Sequence, residues 1–301
     1  MEGRGQNSER FLDPQVVSRL SNMALRARLI VEGFIAGIHR SPYHGFSAEF
    51  SEYRRYIPGE STRQIDWKLF ARTDRYYIRI FEDETNLRCS VIIDRSGSMG
   101  FGSGDITKLE YAALLGAALS YLMIRQRDAV GLTLFDEEIN LMTPHRSVRS
   151  HLHQILRELG GVTPGAGTGI SSALGYVAER IKRRGLVVVI SDLMDEPGEV
   201  IRTLKRFRIR GHEALVFHIL DPMELNLDYG REVQFVDMET EESIRTQPWF
   251  LEGEYSRRVA GWTRRLEIEC KDSGIDYNLL SLESTFDQAL VAYLNKRKKM
   301  N

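Results

Sequence analysis

The stretch Val91-Ile92-Ile93-Asp94-Arg95-Ser96-Gly97-Ser98 ends a β-branched apolar run in a carboxylate and then offers two hydroxyls at alternate positions. Two more oxygen groups stand in comparable places. Thr168 lies in Ala166-Gly167-Thr168-Gly169 ahead of a helical stretch, and Asp192 follows the apolar run Leu186 to Ser191. In an open α/β sheet ligands sit at the carboxyl ends of the strands, above all where the strand order reverses, so Asp94 and Asp192 meet if their strands are neighbours. The candidate ligands Asp94, Ser96, Ser98, Thr168 and Asp192 are all oxygen, which suits magnesium, with manganese as an alternative. Zinc would call for His or Cys at short spacing, and His151 and His153, two apart on a helix, point away from each other. Three neutral hydroxyls touching such a metal, with both carboxylates held behind waters, would leave much of its charge unneutralised. The site then seeks an anion from outside, an Asp or Glu of a partner protein.

Taken singly, each piece has a plainer reading: a polar loop for Asp94-x-Ser96-x-Ser98, a helix cap for Thr168, a turn residue for Asp192. Their joint appearance at three strand or helix ends is the signal. An enzymatic alternative is a magnesium-dependent phosphohydrolase with Asp94 as nucleophile. That chemistry wants a second Asp two residues on, where Ser96 stands, and no His has a serine-elbow partner. The sequence therefore reads as a non-enzymatic binding module.

The elements that must position these groups follow from periodicity. Apolar strands at 89–93, 129–135, 186–191, 213–219 and 276–281 alternate with helical stretches near 107–127, 147–159, 169–184, 197–209, 250–272 and 284–297. This alternation predicts an α/β fold, a doubly wound and mainly parallel sheet with helices on both faces. Ile139 to Met142 follows the second strand across only Asp136, Glu137 and Glu138, too short for a helical crossover, so it must return antiparallel. Residues 232–246 read as a hairpin. Asp13-Pro14 opens a helix running to about Ile30, and from Gly33 to Glu84 the texture shifts to aromatics and arginines, with a strand at 77–81. The chain thus divides into 1–86, an N-terminal helix and small β-rich appendage, and 87–301, the α/β domain.

Of 301 residues, 41 are Lys or Arg and 42 Asp or Glu, a balance that gives no reason to expect nucleic acid as a partner. Basic clusters at 182–184, 205–210 and 296–299 lie near helix ends and read as solvated faces that complement helix dipoles. Two distant cysteines, Cys89 and Cys270, read as buried free thiols of a reducing cytoplasm. No run approaches the roughly 18 apolar residues of a membrane span, and the N-terminus has no secretion-signal core, so direct membrane insertion is not expected.

Asp94-x-Ser96-x-Ser98, Thr168 and Asp192 resemble, one to one, the metal-ion-dependent adhesion site of von Willebrand factor type A domains. That resemblance covers about residues 87 to 300 and implies sheet order 3-2-1-4-5-6 with strand 3 reversed. One departure is Leu193, where such domains often have glycine. Upstream, His39-Arg40-Ser41-Pro42-Tyr43-His44-Gly45, Glu49-Phe50, Glu52-Tyr53-Arg54, Tyr56 to Glu60 and Arg63-Gln64-Ile65-Asp66-Trp67 resemble the signature of the bacterial domain of unknown function 58 family. That second resemblance implies a MoxR-type AAA+ ATPase as partner.

Overall fold

The computed structural model describes residues 13–20, 22–38, 53–55, 70, 74, 76–79, 87–165, 167, 169–230, 232–236 and 243–300. Most of the upstream family signature, from His39 to Glu52 and from Tyr56 to Trp67, lies outside them. Ten strands and nine α-helices are assigned among these residues. A short antiparallel pair, β1 (Tyr53–Arg55) and β2 (Tyr77–Arg79), stands apart from the main sheet, in line with the strand expected at 77–81. The main sheet takes β3 (Arg88–Asp94), β4 (Ala129–Phe135), β5 (Ile139–Met142), β6 (Leu186–Ser191) and β7 (Glu213–Leu220). A second hairpin, β8 (Val233–Val236) with β9 (Ser243–Thr246), is the insertion expected at 232–246, and β10 (Asp276–Ser281) completes the sheet.

From one edge the sheet runs β10-β7-β6-β3-β4-β5, and only β5 is antiparallel. Counting this sheet's strands in chain order, that is 3-2-1-4-5-6 with strand 3 reversed, the order the resemblance implied. The order reverses beside β3, so its carboxyl end borders the crevice where ligands of such sheets bind.

Helices α1 (Pro14–Ser18), α2 (Met23–Ile38), α3 (Lys108–Arg125), α4 (Arg149–Gly160) and α9 (Phe286–Met300) cover one face. Helices α5 (Ile170–Arg180), α6 (Pro197–Ile209) and α8 (Glu252–Asp272) cover the other, and α7 (Pro222–Asn226) is a single turn after β7. Strand side chains alternate between them: Cys89, Val91 and Ile93 enter the first core, Ile92 the second. Burial on both faces is why these strands read as continuous apolar runs. Cys89 and Cys270 are both buried free thiols.

Two expectations need correction. The N-terminal helix breaks after Ser18 and restarts at Met23, because the Asn22 side chain accepts from the Ala24 amide at 2.8 Å and opens a new helix. That helix runs on to Ile38 through Gly33, since Ile30, Val31 and Phe34 keep helical spacing and are buried in the first core. The basic tail is not wholly solvated either. Lys296 turns inward onto Glu213 and Asp276 (2.7 and 3.3 Å), and Arg297 reaches the fully buried Asp128 at 3.0 Å.

Candidate metal centre

Asp94 is the last residue of β3 and is fully buried. Ile93 pairs in register with Ile190, so Asp94 stands beside Ser191 at the neighbouring strand end. Its Oδ1 accepts from the Ser96 amide at 2.8 Å and its Oδ2 from the Ser191 hydroxyl at 2.6 Å. Burial, and then the charge of Asp192, push the Asp94 carboxyl up to about 7, against the pull of those hydrogen bonds. Among the described residues no cation pairs with it.

Beyond Asp94 the chain makes one 3-10 turn, Gly97–Gly100, with the Met99 amide on the Ser96 carbonyl (3.1 Å) and the Phe101 amide on that of Ser98 (3.1 Å). The turn brings Ser96 and Ser98 side by side, their hydroxyl oxygens 3.1 Å apart. Adjacent ligands of an octahedral magnesium, at 2.0–2.1 Å from the ion, are separated by about 2.9 Å.

Asp192 is fully buried just past the end of β6. Its Oδ2 accepts from Lys108 Nζ at 2.7 Å, and the same ammonium reaches Glu224 Oε1 at 2.5 Å. Burial works against the Lys108 charge, but Asp192 and Glu224 outweigh it and hold its pKa above the usual lysine value. The Asp192 carbonyl accepts from His218 Nε2 at 2.8 Å, and His218 Nδ1 accepts from the Tyr277 hydroxyl at 2.5 Å. That pairing requires the neutral ring, and burial pushes the His218 pKa down to about 4.

Leu193, where von Willebrand factor type A domains often have glycine, itself takes a backbone conformation typical of glycine. Its φ of +52° is the left-handed conformation that glycine adopts freely, and its side chain is fully buried. The leucine accepts backbone strain in return for an apolar contact in the second core.

Four of the five sequence-chosen residues, Asp94, Ser96, Ser98 and Asp192, therefore gather at the carboxyl ends of β3 and β6. Thr168 lies outside the described residues. Upstream of it in the chain, the Gly165 amide donates to the Arg95 carbonyl at 2.6 Å. Asp195 accepts from the Ser171 amide at 3.2 Å in the first turn of α5, and Glu196 caps α6 through the Glu199 amide at 2.9 Å. Both are helix N-terminal acids, Asp195 at α5 and Glu196 at α6.

Reasoning from sequence missed Ser191, Lys108 and Glu224. A signal existed for Lys108, which directly follows the N-cap Thr107 in a capping box with Glu110, where a cation opposes the helix dipole. Glu224 reads locally as the partner of Asp221 in another capping box, and nothing local announces its second role.

The donor set suits a hard divalent cation. Asp192 and Glu224 share one ammonium, Lys108, while Asp94 lies beside Asp192 with no cation paired to it among the described residues, and two adjacent hydroxyls follow it in the loop. Among the described residues no group of three or more His, Cys, Asp or Glu is gathered for a metal, so a cation here would have to rest on hydroxyls and water as well as on the two aspartates.

An uncharacterized protein of Mycobacterium tuberculosis strain H37Rv, Rv1480, is 28% identical over 232 residues, covering 76% of this chain and 72% of its own. An aerotolerance-related membrane protein from Bacteroides fragilis shares the fold at TM-score 0.51 and 18% identity, over 71% of this chain and 99% of that one. The vWF domain of the type V pili tip protein Mfa5 from Porphyromonas gingivalis aligns over 71% of this chain and 94% of its own, at 13% identity and TM-score 0.35. Among the described residues of this chain, no helix is long and apolar enough to cross a membrane. The chain belongs to the family described as protein of unknown function DUF58, whose profile matches residues 52–251.

Proposed function

We propose that this protein is a non-enzymatic, metal-dependent adaptor that grips an acidic residue of a partner protein. Asp94, Ser96, Ser98, Thr168 and Asp192 would hold magnesium or manganese, and the bound cation would supply an open position for the partner's carboxylate. The observation that carries this reading is Asp94 itself: a fully buried carboxylate beside a second one, hydrogen-bonded among the described residues to neutral donors only, with two hydroxyls at ligand spacing next to it. Such a group is stable in its charged form only with a cation close by. Ser191 and the Ser96 amide orient Asp94, while His218 and Lys108 fix Asp192 from the other side.

The family resemblance adds a MoxR-type AAA+ ATPase as the working partner, in assembling or remodelling a protein complex, and the buried thiols favour a cytoplasmic setting. Ser96 in place of a second aspartate speaks against the phosphohydrolase alternative. Calorimetry with magnesium tests the site: the reading expects a binding isotherm that Asp94→Ala abolishes. Affinity capture from the native host, with and without chelator, tests the partner. If Asp94→Ala retains the same partners, the metal site does not recruit them.

A further inference from the structure

Lys108 sits where two general rules disfavour it. It is the first residue of α3, at the positive end of that helix's dipole, and its side chain is fully buried. Two carboxylates offset both costs, Asp192 Oδ2 at 2.7 Å and Glu224 Oε1 at 2.5 Å. The Thr107–Glu110 capping box fixes the start of the helix and with it the origin of the lysine side chain. Asp192 is thereby anchored on several sides: Oδ2 on the ammonium, Oδ1 on the Met194 amide at 3.3 Å, and its carbonyl on His218.

Resting on the metal-site reading above, we propose that Lys108 is a positioning residue that holds the Asp192 carboxylate back from direct contact with the metal. A carboxylate bound directly to the ion would cancel one unit of its charge and so about halve its attraction for an incoming anion at a given distance. Held by Lys108, Asp192 contributes to the charge balance of the site without occupying the ion's inner shell. Glu224 completes the device. With a second acid in reach the Lys108 side chain is gripped from two sides, so Asp192 is held by a lysine fixed in place.

The test uses the full chain, magnesium alone in calorimetry, and europium(III) luminescence lifetimes in light and heavy water, which count metal-bound waters. Lys108→Met/Glu224→Gln removes one charge of each sign and leaves the net charge of the cluster unchanged. Lys108→Met alone leaves two buried acids unpaired and is the variant more prone to misfold. In the double variant Asp192 is expected to reach the ion: magnesium binds roughly tenfold more tightly, and about one europium-bound water is lost. Glu224→Gln alone keeps the ammonium on Asp192 and should retain the wild-type water count. A folded double variant with unchanged affinity and hydration overturns the role of Lys108 and leaves the metal reading intact. The same holds if Glu224→Gln alone reproduces the full effect. A wild-type chain that binds neither ion removes both readings.

Discussion

The Ser191 hydroxyl donates to Asp94 Oδ2 at 2.6 Å and accepts from the Leu193 amide at 2.9 Å, so one side chain ties the end of β3 to the loop that carries Asp192. Both carboxylate-bearing loops are positioned through this oxygen. Ser191 is fully buried, so its removal leaves the Asp94 oxygen without a solvent substitute.

Ser191→Ala should therefore lower stability by about 1.5–3 kcal/mol, the range for a hydrogen bond to a charged group. Urea unfolding with an unchanged m-value is the measurement. A loss of a few tenths would mean that the bond contributes little and that strand pairing alone sets the Asp94 position.

Leu193 offers a test in which the usual order of side chains is disturbed. Leu193→Ala should cost about 2–5 kcal/mol, as other buried leucines do. Leu193→Gly loses one more buried methyl, about 0.8 kcal/mol, but relieves left-handed strain of about 1 kcal/mol or more. Glycine should thus be no worse than alanine in equilibrium unfolding. A glycine variant clearly less stable than the alanine one would contradict the strain at φ +52°.

The parts of this architecture that sequence discloses are those encoded locally. The runs ending in Asp94 and Asp192 are buried on both faces, so their apolar continuity marks strands, and the three-residue gap before Ile139 forces β5 to reverse. Long-range charge pairing has no such signature. Lys108 and Glu224 are 116 positions apart, and each sits in a capping box that already explains its neighbourhood. The helix break at Asn22 hides because the apolar spacing runs through it, while Gly33 reads as a breaker although Val31 and Phe34 keep their places in the core. Lys296 and Arg297 read as solvated because their acceptors, Glu213 and Asp128, come from distant strand starts.

Histidines near the amino ends of the strands make stability fall in mild acid. His145, whose Nε2 lies 2.7 Å from the Ser90 hydroxyl, has its pKa lowered by burial and then by Arg88, His151 and His212. His212 donates to the Ile181 carbonyl at 3.2 Å, and its pKa is lowered by burial and by Arg210, against that hydrogen bond. An unfolded histidine takes up a proton near pH 6.5, whereas these two resist it in the folded state. Their effect is absent above that pH and grows as pH falls toward their folded values. Because Asp94 and His218 titrate in both chains, the readout is the difference: between about pH 7 and pH 5.5 the urea midpoint of a His145→Gln/His212→Gln variant should fall less, or rise more, than that of the wild type. An equally steep profile in the double variant would assign it to other groups.

Arg297 pins α9 to the start of β4 through Asp128, whose carboxylate is fully buried and also lies 3.5 Å from the Tyr293 hydroxyl. Burial raises the Asp128 pKa above 3.8, and Arg297 opposes that rise. Removing the guanidinium by Arg297→Met leaves a buried carboxylate without its cation, which should cost about 3–5 kcal/mol near neutral pH. The sign of the pH dependence follows. A carboxylate whose folded pKa lies above its unfolded value destabilises the fold while ionised, and that penalty fades as pH falls through the folded value. The neighbouring Cys89 and Tyr293 have pKa values raised by burial and stay neutral over this range. The deficit of Arg297→Met should therefore shrink from about pH 7.5 to about pH 5, and Asp128→Asn in the same chain should recover part of it at neutral pH. A deficit independent of pH and unrelieved by Asp128→Asn would show that Arg297 acts through the packing of its aliphatic stem.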